Sequence, residues 1–155
     1  MSDDRGVDDN NATYFGYLVP RTDYEQEPCR IRVEAPGFLV GRPKVLRRLE
    51  RDENDPFNWG HHGSSSIATA EAVLADALCE PVSLHHEPHK RVVVAFSRDI
   101  VAHLPREQSW TLSRDAVLAW VRGWYVATAP HMMPRAVKRI GDVDGAVESP
   151  LRDWE

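Results

Sequence analysis

The segment Phe57-Asn-Trp-Gly-His-His-Gly-Ser-Ser-Ser66 sets two glycines, three serines and two adjacent histidines directly ahead of an Ala/Leu-rich run. Where a helix begins among small residues, its first backbone N–H groups have no carbonyl partner within the helix, and the helix dipole adds partial positive charge there. Phosphate or carboxylate fits such an end, so Trp59, Gly60, His61, His62, Gly63, Ser64, Ser65 and Ser66 are the candidate ligand-binding residues. The competing reading is structural: Gly60 and Gly63 supply unusual backbone angles, and one of the three serines caps the helix. Neither a P-loop lysine nor a GxGxxG fingerprint accompanies the turn, which favours the structural reading.

A second set, His85-His-Glu-Pro-His89, offers His85, His86 and His89 as metal ligands, with Glu87 beside them. Imidazole and carboxylate groups that converge on one point suit zinc or another divalent metal. The spacing is not HExxH, Pro88 opposes a helical frame, and His61 and His62 stand at the other end of the intervening helical run. A solvated polar loop is therefore the competing reading, with no cofactor. Nucleophilic chemistry has less to stand on. There is no GxSxG elbow, Cys79 closes an amphipathic stretch where a small buried residue fits, and a Ser64 and His62 pair lacks an orienting carboxylate. Trp59, Trp110, Trp120 and Trp124 read as core and lid residues rather than as a base-stacking platform.

The elements that must position these residues follow from periodicity. Tyr14 to Val19 is aromatic and β-branched and stops at Pro20, while Cys29, Ile31 and Val33 alternate with Arg30, Arg32 and Glu34, so both segments are expected to be strands and antiparallel neighbours. Residues 36–56 are broken by prolines and glycines and fit a short helix or an edge strand. From Ile67 to Leu78 an amphipathic helix is expected, with Ile67, Ala70, Val73, Leu74, Ala77 and Leu78 inward and Thr69, Asp76 and Glu80 outward. Arg91 to Phe96 is read as a strand from its valines, followed by a short helix capped by Ser97, although Val93, Phe96, Ile100, Val101 and Leu104 also match helical spacing. Ser113 is the expected N-cap of a last helix that runs to about Ala127 and carries Trp120 and Trp124 into the core.

The expected fold class is therefore α+β, a small antiparallel sheet packed against two main amphipathic helices. A chain of 155 residues suits one core. The expected division is a disordered acidic leader over 1–12, a single domain over 13–127 and a loosely ordered tail over 128–155. The formal net charge of −5 denies the chain a broad basic field, so nucleic acid is not the expected partner, although a local basic patch is still allowed. Two distant cysteines outside any CxxC, and a start without an apolar signal run, point to a reducing cytoplasm, and no apolar run suits a bilayer.

Phe57-x-Trp59-Gly60-x-x-Gly63-Ser64, the Leu74-Ala-Asp-Ala-Leu78 helix end, Phe96, Ile100-Val-Ala-His-Leu-Pro105, and Trp110-Thr-Leu-Ser113 before a helix with Trp120 together carry a family likeness. The combination resembles an uncharacterised family of small bacterial and phage domains, over about Leu46 to Val121. That family's turn reads Trp-Gly-Tyr-x-Gly-Ser-Gly-Pro. Here His61 replaces the Tyr, and Ser65 and Ser66 replace the Gly-Pro, so the preset proline is lost and Ser65 as N-cap offsets it. The resemblance implies a compact domain with the Gly/Ser turn as its structural centre, no assigned activity, and His85 to His89 as an insertion. The expected function is a non-enzymatic binding or interaction protein of a bacterium or its mobile elements, holding a small anion or a protein partner at the turn. The alternatives are a metal-dependent hydrolase built on the histidines and a regulatory or counter-defence docking protein.

Overall fold

Period-two alternation builds the sheet. In β1 (Thr13–Leu18) Tyr14 and Gly16 face inward and Phe15 and Tyr17 outward; in β2 (Cys29–Ala35) Cys29, Ile31, Val33 and Ala35 are buried between Arg30, Arg32 and Glu34. The two strands are antiparallel neighbours, as the alternation implies, from Thr13 opposite Glu34 to Leu18 opposite Cys29. β3 (Lys44–Arg48) pairs antiparallel with β2 across a bulge at Val33 and Glu34, so the proline-broken region supplies an edge strand. β4 (Trp110–Ser113) pairs antiparallel with β1 and completes the order β3-β2-β1-β4. The computed structural model describes residues 11–19, 29–36, 43–50, 56–82 and 88–138.

Among the described residues three main helices supply most of the rest of the core: α1 (Ser64–Leu78), α2 (His89–Asp99) and α3 (Arg114–Thr128), with short 3-10 turns at Val101–His103 and Pro130–Met132. The class is α+β, with one helix more than the pattern suggests. The extra helix is the segment read as a strand. Arg91 to Phe96 lies within α2, and Ser97 is a buried mid-helix residue rather than a cap. Burial explains the outcome, because Val92, Val93, Ala95, Phe96 and Ser97 are buried while Lys90, Arg91, Val94 and Arg98 are exposed, a helical period. Packing against α1 overrides the β-branched preference of three valines.

α1 also turns further than its apolar pattern indicates. Thr69 is fully buried and Ile67 only half-buried, and Asp76, expected on the solvent side, has a side chain 8% exposed. Tyr14 Oη donates to Asp76 Oδ2 at 2.8 Å, and the Arg47 guanidinium grips both carboxylate oxygens at 2.7 Å. One carboxylate thus ties β1, β3 and α1 together with charge-assisted bonds. Burial, then the charge and hydrogen bond of Asp76, hold the Tyr14 phenol far above its ordinary range.

Ser113 caps α3 as its sequence implies, its Oγ accepting from Ala116 N–H at 3.0 Å. Trp120 and Trp124, expected in the core, are only half-buried at its margin, Trp120 edge-on to Phe96 at 5.1 Å and Trp124 edge-on to Tyr125 at 4.9 Å. The fully buried residues of α3 are instead Val117, Leu118, Val121 and Tyr125. The core reaches past 13–127 at both ends. Ala12 is buried and its carbonyl accepts Arg114 N–H at 2.9 Å, while Ala129, Ala136 and Val137 pack into the same cluster. Residues 1–10 of the leader and 139–155 of the tail lie outside the described residues.

Two outcomes test the clamp. Asp76→Ala should cost about 2–4 kcal/mol in urea unfolding, since it strands a partly buried guanidinium and a buried phenol. Tyr14 ionises near pH 10 in the unfolded chain and well above that when folded, so its contribution is complete below about pH 10 and is lost as pH rises further. The urea midpoint should fall as pH rises above about 10, and should fall less in Tyr14→Phe.

Candidate functional site

The turn before α1 is organised by one buried indole. Trp59 is fully buried, meets Trp110 edge to face with centroids 5.4 Å apart, and donates its Nε1–H to Gln108 O at 3.0 Å. Trp110 in turn lies flat over β1 where Gly16 leaves room, since a Cβ on Gly16 would stand 2.2 Å from Trp110 Cε2. Trp59 is held from the other side by backbone pinning. Thr69 Oγ1 accepts Asn58 N–H at 3.0 Å and donates to Asn58 O at 2.7 Å, and Asn58 Oδ1 accepts Trp59 N–H at 2.8 Å. Cys29 adds a long thiol contact to Asn58 Oδ1 at 3.8 Å, and burial, helped by Glu107, pushes that thiol up and keeps it protonated.

The chain then reverses at Gly60, whose φ of +82° belongs to the left-handed side of backbone space. Its N–H donates to Val101 O at 3.0 Å, and an added Cβ would stand 2.8 Å from Arg106 Cα and 2.9 Å from Leu104 O. Gly60 is therefore the contact between the turn and the 101–106 segment. Past it the chain comes to the surface: His62, Gly63 and Ser64 are exposed, and His61 and Ser65 are half-buried.

α1 opens at Gly63, which serves as N-cap with no side-chain hydrogen bond. The serine cap expected at Ser64, Ser65 or Ser66 does not form. Ser66 is buried and its Oγ–H donates backward to His61 O, and the first helical bond runs from Ile67 N–H to Gly63 O at 3.1 Å. The N–H groups of Ser64, Ser65 and Ser66 precede that bond. His61 Nδ1 lies 3.1 Å from His62 O, with its ring beside Gly63. A sterically open helix start with the positive end of the helix dipole beneath it is what this arrangement offers chemically.

The structure brings His61, His62 and Ser64 to Ser66 together at one end of α1. His89 stands near the other end, where its Nε2 lies 3.9 Å from Glu80 Oε2. Fifteen helical residues rise roughly 21 Å, so His89 does not converge with His61 or His62. His85 and His86 lie outside the described residues. Among the described residues no three His, Cys, Asp or Glu side chains are grouped to hold a metal ion. Cys79, expected to be buried, is exposed in a left-handed conformation at the C-cap of α1. It borders a groove of about 460 Å³ between β3 and α1 with Leu49, Ala72, Ala75 and Asp76. The pinning pair Asn58 and Thr69 was not legible as such, because apolar periodicity alone sets Thr69 on the solvent side.

Fold and site define a small α+β domain with a four-stranded antiparallel sheet and a Trp-Gly turn locked into its core. The chain belongs to a Family of unknown function (DUF6166), whose profile matches residues 35–123, more than half of its length. The match takes in β3, α1, α2, β4 and the turn, in keeping with the uncharacterised family that the motifs resemble. Neither a curated protein nor a solved structure matches the chain.

Gly60→Ala should cost about 2–4 kcal/mol, through a strained φ and a clash with backbone. Gly123→Ala is the contrast, because nothing lies within 4 Å of the added methyl in α3. It should raise stability by about 0.5–1 kcal/mol. Urea unfolding followed by tryptophan fluorescence reads both.

Proposed function

We propose that this protein is a non-enzymatic binding module that holds an anionic group, free or carried by a protein partner, at the open start of α1. The observation that supports it is the uncapped helix end: Gly63 makes no side-chain cap, and Gly63 and Ser64 are exposed. The amides of Ser64 and Ser65 would donate to the anion, the imidazoles of His61 and His62 would offer further N–H donors, and Trp59 and Gly60 would fix the loop beneath. Ser66 and Gly63 shape the end without a competing side chain. No nucleophile with an oriented base stands at the turn among the described residues, and the reading needs no cofactor.

The likeness to small bacterial and phage domains supports an origin in a bacterium or its mobile elements, and a regulatory or counter-defence partner would suit the same surface. Two free thiols support residence in a reducing cytoplasm. No helix among the described residues is long and apolar enough to cross a membrane. The metal-dependent alternative finds no support in the separation of His89 from His61 and His62.

Inorganic phosphate tests the reading. With a Kd near about 1 mM, 10 mM phosphate should add about 1.4 kcal/mol and raise Tm by a few degrees, against a sulfate-free, chloride-matched control. Ser65→Glu places a carboxylate in the first turn. It should raise Tm without phosphate, by about 0.3–1 kcal/mol of stability, and abolish the phosphate shift. A wild type insensitive to phosphate, nucleotides and acidic peptides would leave the turn a purely structural device.

A further inference from the structure

The outward face of the sheet, opposite the helices, carries aromatic and cationic side chains where a solvated face needs neither. Phe15 and Tyr17 stack with centroids 5.4 Å apart and ring planes within 12°. Arg32, on the neighbouring strand, sets its guanidinium 4.7 Å from the Phe15 centroid and 4.9 Å from that of Tyr17. Glu34 pairs with Arg32 through Nε and steadies it in that position. The three side chains form one continuous π and guanidinium surface.

Register extends this surface sideways. Thr111, Phe15, Arg32 and Arg48 lie directly opposite one another on β4, β1, β2 and β3, a row about 14 Å wide at the usual strand spacing. Tyr17 has Arg30 opposite it. Arginines directly opposite each other, as Arg32 and Arg48 are, repel, and among the described residues Glu34 pairs with Arg32. An anion laid along the row would offset the repulsion. The chain as a whole is acidic, with a formal net charge of −5, so this face is a local exception.

We propose that this face binds single-stranded nucleic acid, with bases stacking on the Phe15, Arg32 and Tyr17 platform and phosphates drawn to Arg30 and Arg48. Aromatic rings and a guanidinium plane accept any base face, which a duplex hides and a single strand presents. An acidic peptide would satisfy the arginines and leave the two rings without a role, so the nucleic acid accounts for more of the face. The site is independent of the turn before α1, because it stands on outward positions of β1, β2 and β3.

Fluorescence anisotropy with labelled single-stranded RNA and DNA of about 12 nucleotides tests it, beside the matching duplex and a polyglutamate competitor. Saturable binding of the single strand is expected, tighter than duplex by about tenfold, with log affinity falling against log salt at a slope of about −1.5. Phe15→Ala with Tyr17→Ala should weaken it about tenfold or more, and Arg48→Glu should weaken it and flatten the salt slope. If the double alanine variant fails to fold by circular dichroism, Phe15→Leu with Tyr17→Leu keeps apolar bulk and removes the ring faces. No saturable binding at about 50 mM salt, unchanged affinity in the folded variants, or duplex binding as tight as single strand would overturn the proposal. Displacement by polyglutamate at equal charge would equally overturn it and assign the face to an acidic protein.

Discussion

The close approach of Gly60 to the backbone of Leu104 and Arg106, with Trp59 driven beneath it into the core, is the contact on which the other parts depend. It fixes where the chain leaves the core, and so where α1 begins. The indole is fixed at its ring by Trp110, which itself fills the space over Gly16, and at its backbone by Asn58, which Thr69 pins. Because Trp110 belongs to β4, the same packing fixes the fourth strand against β1. A turn remote in sequence from the sheet thereby sets the sheet's edge, and the helix start carries no side-chain cap because its N-cap is Gly63 and the Ser66 hydroxyl is turned back to His61 O.

Asp76 provides the second fastening. A carboxylate on a helix face that periodicity assigns to water is drawn inward by Arg47 and Tyr14, and its two oxygens satisfy both. Such a cluster stabilises by geometry more than by charge alone, since removing one member strands the others. It joins β3, which lies at the sheet edge, to α1 across a groove lined by small residues such as Ala72 and Ala75.

Much of the architecture was legible in the residues. Alternation from Cys29 to Glu34 fixed β2 and its partner, and Ser113 announced α3, because each signal is local and period-bound. The helix at His89–Asp99 was legible only as an alternative, because Val92 to Val94 satisfies a strand by composition while Val93, Phe96, Ile100 and Val101 also fit a helical period, and burial on the folded core decides between them. β4 is four residues long and takes its identity from Trp110 packing on Gly16, a contact 94 positions apart that no window contains. At the site, the turn and its glycines were visible, but the cap was misassigned to a serine. Ser66 finds a nearer acceptor in His61 O, and that preference belongs to the folded loop.

On the proposed function, Gly60 and Trp59 hold rigid an exposed helix start whose first amides accept an anion. Phosphate titration of uniformly 15N-labelled protein, followed amide by amide, addresses it most directly. Saturable shifts are expected at Ser64 and Ser65 while the Trp59 indole and Gly60 amide stay fixed. Unmoved Ser64 and Ser65 resonances, or shifts of equal size at Trp59 and Gly60, would contradict it.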